Sequence, residues 1–142
     1  MSRERYKLIP AVYLVLIENN KILLSRRFNT GYEDGNYSLV AGHLDAGENF
    51  FESMIREAKE EANIILNKKN LEIVHLIQRS KLDRFDIYIR PKYWEGEIQN
   101  LEPDKCDDLS WFDINRLPDN TIPDVKQAIE NIQNNNLYSV FE

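Results

Sequence analysis

The sequence predicts a single α/β domain of the α+β kind, a mixed β-sheet sandwiched between helices, and three observations carry that expectation. Apolar runs of strand length lie on both sides of one strongly amphipathic helix, a second amphipathic helix follows near the C-terminus, and no repeat or linker interrupts them. The resulting order is strand, strand, helix, strand, strand, helix. A chain of 142 residues suits one domain, residues 1–142, with a single core.

The elements follow in order. Leu8 to Ile17 (LIPAVYLVLI) reads as a strand buried on both faces, and after the turn ENN the run KILLSRR reads as its hairpin partner. NTGYEDGNY is a loop by its Gly, Asn and Asp content, and it feeds a short strand, SLVAG. Asn49 to Ala62 carries a helical pattern with Phe51, Met54, Ile55, Ala58 and Ala62 on one stripe. Leu71–Arg79 and Arg84–Arg90 alternate as two half-buried strands, the second setting Phe85, Ile87 and Ile89 opposite Asp86, Tyr88 and Arg90. LSWFDI is a further short strand. Asp124 to Gln133 repeats Val125, Ala128, Ile129 and Ile132 at helical spacing behind Pro123, and Asn134 to Asn136 makes a solvated end.

Composition excludes several classes. Hydrophobic residues at 42% and charged residues at 30% suit a soluble globular chain. Leu8 to Ile17 is about half the length of a membrane span, its flanks do not read as a signal peptide, and a cytoplasmic protein with no membrane partner is expected. The one cysteine, Cys106, makes neither an internal disulfide nor a Cys-rich zinc site. A net charge of −6 argues against a nucleic-acid duplex as partner, but a small phosphorylated ligand is compatible if a metal supplies positive charge.

The first helix holds the chemistry. With Glu57 at zero and about 100° per residue, Glu60 falls near 300° and Glu61 near 40°, one narrow acidic face beside an apolar stripe centred near 120°. Like charges at that spacing raise each other's proton affinity unless a cation lies among them. Magnesium, with its hard oxygen ligands and few protein carboxylates, is the simplest candidate, and manganese is an allowed substitute. An acidic helix by itself is usually a solvated face. Asn49 with Glu52 three residues later forms a capping box, and Asn63 can end the helix in the left-handed conformation, so the face is rigidly placed.

Gly42, Glu48, Arg56, Glu57, Glu60 and Glu61 stand at the spacing Gly-x5-Glu-x7-Arg-Glu-U-x-Glu-Glu-x-Gly-U, which resembles the Nudix box, U being aliphatic. Two positions depart from it: Asn63 replaces the last glycine, and Ala58 is a small aliphatic residue. The box covers Gly42 to Ile64, and the flanking strands and last helix fit the rest of the Nudix fold. The resemblance implies hydrolysis of a nucleoside diphosphate linked to another group. It places metals on Glu57, Glu60 and Glu61, with the Gly42 carbonyl as a further ligand and Glu48 and Arg56 orienting the cluster. The general base it implies is Glu57 or Glu102. EPDKCDDLSWFDINRLP, which contains Glu102, is similar to a segment of MutT-type enzymes that act on nucleoside triphosphates, including oxidised ones. IPDV resembles the stretch where purine-triphosphate enzymes hold a base-reading aspartate, which points to Asp124, although an acid there also favours the helix dipole.

Arg26 and Arg27 are candidates for phosphate, and alternation turns at most one of them to the site. Tyr32, Tyr37, Phe85 and Tyr88 are candidates to stack a base, with Tyr88 carried as a substrate contact against the competing role of strand packing. His43 follows the box glycine; His75, in a strand, reads as structural. A small nucleotide is the expected partner, and a homodimer is allowed. Competing expectations are hydrolysis of ADP-ribose or a dinucleoside polyphosphate, a prenyl-diphosphate isomerase using Cys106, and a non-catalytic nucleotide-binding module.

Overall fold

A computed structural model describes residues 3–142. Its strands are β1 (Ile9–Leu14), β2 (Ile17–Glu18), β3 (Lys21–Arg27), β4 (Tyr37–Ser38), β5 (Ala41–His43), β6 (Leu71–Arg79), β7 (Arg84–Pro91), β8 (Cys106–Asp113) and β9 (Tyr138–Phe141); its α-helices are α1 (Phe50–Ala62) and α2 (Pro123–Gln133). A five-stranded mixed sheet has the order β5-β1-β7-β6-β9, and a second sheet joins β2, β3, β4 and β8, the last paired to β3. The expected sandwich holds, with two sheets where one was read. The apolar run from Leu8 to Ile17 divides between them, β1 entering the large sheet and β2 the small one.

Alternation along β1 decides which helix each residue meets. Ala11, Tyr13 and Val15 pack with Val125, Ala128 and Ile129 of α2. Val12, Leu14 and Leu16 pack with Met54, Ala58 and Ala62 of α1. The two helices therefore cover opposite faces of the large sheet, as the period-two direction of strand side chains requires. Ala58 is fully buried, so the small residue at this aliphatic position brings α1 close to the sheet.

Strand β7 departs from its half-buried expectation. It lies between β1, to which it is parallel, and β6, to which it is antiparallel. Asp86, Ile87, Tyr88 and Ile89 are all 0% exposed, because helices cover both faces of a central strand. β8 begins three residues before the LSWFDI run. β9 lies beyond the Asn-rich end of α2 as a parallel neighbour of β6. No described helix is long and apolar enough to cross a membrane.

Candidate active site

Helix α1 starts where its sequence dictates. Asn49 Oδ1 accepts the Glu52 backbone N–H at 2.8 Å, and Glu52 Oε1 accepts the Asn49 N–H at 2.9 Å, a closed capping box. At the other end Asn63 adopts the left-handed conformation, φ 59°, and its side-chain amide donates to the Glu97 carbonyl at 2.9 Å. Asparagine thus ends the helix as glycine would, and also ties it to the distant connection between β7 and β8.

Between these ends Arg56 is a hub. Its Nε and Nη2 donate to the two Glu48 carboxylate oxygens at 2.7 and 3.0 Å, and Nη1 donates to Glu57 at 2.8 Å and Glu60 at 3.2 Å. Nη2 also reaches the His43 carbonyl at 3.3 Å, which links the helix to β5. The guanidinium holds Glu48 down at about 2. A planar fork satisfied on both edges fixes the rotamers of the acids around it. Glu60 is the most exposed of the three helix acids and, among the described residues, pairs only with Arg56.

Glu57 and Glu61 face inward. Burial raises the Glu57 carboxyl, and Arg56 offsets part of that rise. Glu61 is pushed up to about 8, first by burial, then by the charges of Glu57 and Glu102, with the Ala41 amide pulling the other way. Its Oε2 is buried with no hydrogen-bond partner. An orphaned carboxylate oxygen among like charges is costly unless something positive binds there. Gly42 lies directly on the Glu57 carboxylate, where a Cβ would come 2.2 Å from Cδ.

These features fit a hard divalent cation held by Glu57, Glu61 and Glu60, with the Gly42 backbone alongside. Among the described residues no three His, Cys, Asp or Glu side chains converge closely enough to enclose a cation alone. A cation here would complete its shell with water and phosphate oxygens, which is how magnesium is commonly held.

Glu102 joins the cluster from outside the helix. The loop before β8 is pinned to α1 by Gln99 and Leu101, whose N–H groups donate to the carbonyls of Ala62 and Glu61 at 3.1 and 3.0 Å. A cavity of about 320 Å³ then opens between Glu61, Glu102, Arg27 and Lys105, floored by Ser38 to Ala41. Cys106 also lines it; its thiol accepts from Ser25 and donates to the Asp108 carbonyl.

A second cavity of about 440 Å³ adjoins the first, sharing Arg27, Ser38 and Ala41 with it. Tyr13, Tyr32, Leu82, Ile122 and Val125 supply apolar walls, and Arg84, Asp124 and His43 supply polar groups. Arg79 donates to Asp124 at 2.5 Å and approaches Asp86 at 3.7 Å, and Asp86 accepts from Arg84 at 3.1 Å. Arg79 and Arg84 balance Asp86 and Asp124, which leaves Arg27 as the uncompensated charge on this lining.

Each candidate from the sequence can now be placed. Arg27 borders both cavities, while Arg26 turns away to Asp107 at 2.7 Å and lies against the Tyr37 ring. Strand alternation sends them to opposite faces, and a register shift that leaves Asp107 of β8 out of the ladder sets that acid against Arg26. Asp124 reaches the second cavity. Tyr88 does not: it is fully buried and stacked on Tyr13 with centroids 4.7 Å apart, so its ring has no free face for a base. That expectation is corrected, because β7 is central in its sheet. Tyr37 is also buried, edge-on to Phe112, and Phe85 packs against the α1 cluster. Tyr32 alone of the four lines a cavity with an exposed ring. His75 is buried, with hydrogen bonds to the Asn136 carbonyl and to Ser139. Sequence reading missed Arg84, Tyr13 and Lys105; the signal for Arg84 was the polar parity it shares with Asp86 and Tyr88 on one strand.

Comparison with known proteins gives the family and the fold. The chain is 28% identical over 114 residues to the NAD-capped RNA hydrolase NudC of Pseudomonas entomophila (strain L48), covering 79% of this chain and 39% of that protein. It is 26% identical over 137 residues to the NudC of Vibrio atlanticus (strain LGP32), covering 86% and 48%. The chain spans less than half the length of these curated relatives. Among solved structures, the MutT Nudix hydrolase of Burkholderia pseudomallei superposes with a TM-score of 0.77 at 22% identity, over 87% of this chain and 97% of that one. The MutT protein of Methanosarcina mazei Go1 gives 0.75 at 16% identity, over 93% and 97%. These structures share the fold. Residues 7–132 match the NUDIX domain, and with the box residues gathered as they are on β5, α1 and the loop between them, the chain belongs to the Nudix family.

Proposed function

We propose that this chain is a magnesium-dependent pyrophosphohydrolase that converts a nucleoside triphosphate, normal or oxidised, to the monophosphate and pyrophosphate. The observation that carries the reading is the buried, unpartnered Glu61 oxygen beside Glu57 and Glu102 on the wall of a cavity large enough for a phosphate chain. Bound magnesium would neutralise phosphate oxygens, lower the pKa of the attacking water and align the attack. Water oxygen forms the new bond to the α-phosphorus, the α–β anhydride bond breaks, and its electron pair leaves with pyrophosphate. Glu102 is the better placed of the two acids to take the water proton, because Arg56 already occupies Glu57. Arg27, at the junction of the cavities, suits the phosphate chain, and the apolar walls of the second cavity suit an uncharged ring with Asp124 at its edge.

The relatives named as NAD-capped RNA hydrolases favour a second reading, hydrolysis of an NAD-capped RNA or of the NAD unit alone. The test is release of phosphate, pyrophosphate and mononucleotides with magnesium from normal and oxidised triphosphates, ADP-ribose, NAD and dinucleoside polyphosphates, for wild type and Glu60→Gln. Turnover of triphosphates that collapses in the variant supports the first reading. Turnover confined to dinucleotides replaces it with the second, and no turnover by the wild type moves the chain to the binding modules. Equal turnover of normal and oxidised triphosphates would remove any role in clearing damaged nucleotides.

A further inference from the structure

The cavity beside α1 holds opposite charges that do not meet. Glu61, Glu102, Arg27 and Lys105 all line it, yet among the described residues neither Arg27 nor Lys105 enters any ion pair. Arg27 is held by neutral acceptors, its Nε donating to the Tyr32 carbonyl at 2.7 Å and Nη2 to Thr30 Oγ1 at 3.1 Å. Lys105 has acids close by in sequence; the adjacent Asp104 forms no ion pair with it, and the two that follow are engaged elsewhere. Asp107 pairs with Arg26, and Asp108 accepts from Tyr37 and Ser110.

The loop that carries Lys105 is built as a rigid turn. The Glu102 carbonyl accepts the N–H groups of Lys105 and Cys106, both at 2.9 Å. Asn100 closes the turn from both sides, its Oδ1 accepting the Glu102 N–H at 3.1 Å and its Nδ2 donating to the Cys106 carbonyl at 2.7 Å. The proposed base and the lysine are thus presented to one cavity by one clamp. Cations and carboxylates around a shared cavity would pair directly unless their supports held them apart. Held apart, they fit a ligand that carries both signs, a divalent cation towards the acids and phosphate oxygens towards the bases. Lys105 is itself exposed, so the group it meets lies at the end of the ligand, where a compact ammonium serves a freely rotating phosphate better than a planar fork.

We infer that Lys105 selects substrates with a free terminal phosphate, gripping the pyrophosphate that leaves. The inference rests on the hydrolase reading above and deepens it. A diphosphate esterified at both ends, as in ADP-ribose, offers Lys105 no terminal phosphate and less charge. Lys105→Gln therefore raises KM for a nucleoside triphosphate by roughly ten-fold, the scale of one charge-assisted hydrogen bond, with kcat largely kept. KM for ADP-ribose changes far less, and Lys105→Arg restores most of the triphosphate affinity. Equal changes for both substrates, or none, overturn the inference.

Calorimetric binding of inorganic tripolyphosphate in the presence of magnesium separates the two levels of the argument. Binding that weakens in Lys105→Gln while wild type hydrolyses nothing sinks the hydrolase reading and leaves the terminal-phosphate site standing. Tripolyphosphate binding unchanged in Lys105→Gln overturns the site whatever the turnover shows.

Discussion

Gly42 and Glu57 are in contact such that position 42 has no room for a side chain: a Cβ there would stand 2.2 Å from the Glu57 Cδ and Oε1. Glu57 is the far end of a flexible side chain, so Gly42→Ala displaces a carboxylate more than it disrupts the fold. The variant should keep a melting temperature near that of wild type and lose activity on the order of 10²-fold, the cost of an ångström-scale misplacement. Paired thermal melts and kcat/KM measurements check this. A parallel fall in both would mean that the glycine matters for folding.

Arg56 binds both oxygens of Glu48 while holding Glu57 and Glu60. Lysine cannot reproduce that fork. Arg56→Lys and Glu48→Gln should each raise the magnesium concentration needed for half-maximal activity by about 10- to 100-fold, the range for residues that orient metal ligands. If saturating magnesium restores neither variant, the pair acts on something other than metal affinity.

Glu61 gives the metal-free protein an unusual pH dependence. Its folded-state value of about 8 lies above the ordinary 4.5, so the folded state holds a proton that the unfolded state has released. This contribution to stability is fully present below pH 4.5 and is lost as pH rises to 8 and beyond. Glu61→Gln should raise the melting temperature of metal-free protein above pH 8 and abolish activity, a trade of stability for function. Magnesium should stabilise wild type at that pH and the variant far less.

His75 acts in the opposite sense. Burial lowers its pKa below 6.5, so the unfolded state binds the proton more readily. Its contribution is present above pH 6.5 and is lost as pH falls through the folded value. Denaturant unfolding of wild type and His75→Gln across that window should show a slope in wild type that the variant lacks. An identical slope in both would assign it to other groups.

Asn63 holds φ 59° and an anchoring hydrogen bond to Glu97. Asn63→Ala should cost about 1–2 kcal/mol from left-handed strain alone, with a further loss from the missing bond. Asn63→Gly gives up the bond but relieves the strain, so it should lie within a few tenths of a kcal/mol of wild type. Chemical denaturation orders the three proteins. Alanine tolerated as well as glycine would show that the strain is absent.

What the sequence by itself determined was helix α1 with its charges: both caps, the acidic face and the buried stripe at Met54, Ala58 and Ala62. Helical spacing and capping act within a few residues, so they are written in consecutive letters. Tertiary structure decided the rest. Glu102 reaches Glu61 only because the loop is pinned to the end of α1. Tyr88 lost its place in the site because β7 gained neighbours on both edges and helices on both faces. Alternation separated Arg26 from Arg27, but only the pairing of β3 with β8, which brings Asp107 to Arg26, decided which of the two faces the cavities, and β9, short and half-exposed, exists through its pairing with β6. Each of these depends on which distant segment packs where. A strand's own alternation names two faces, but only its neighbours determine which face is buried and which opens on a cavity.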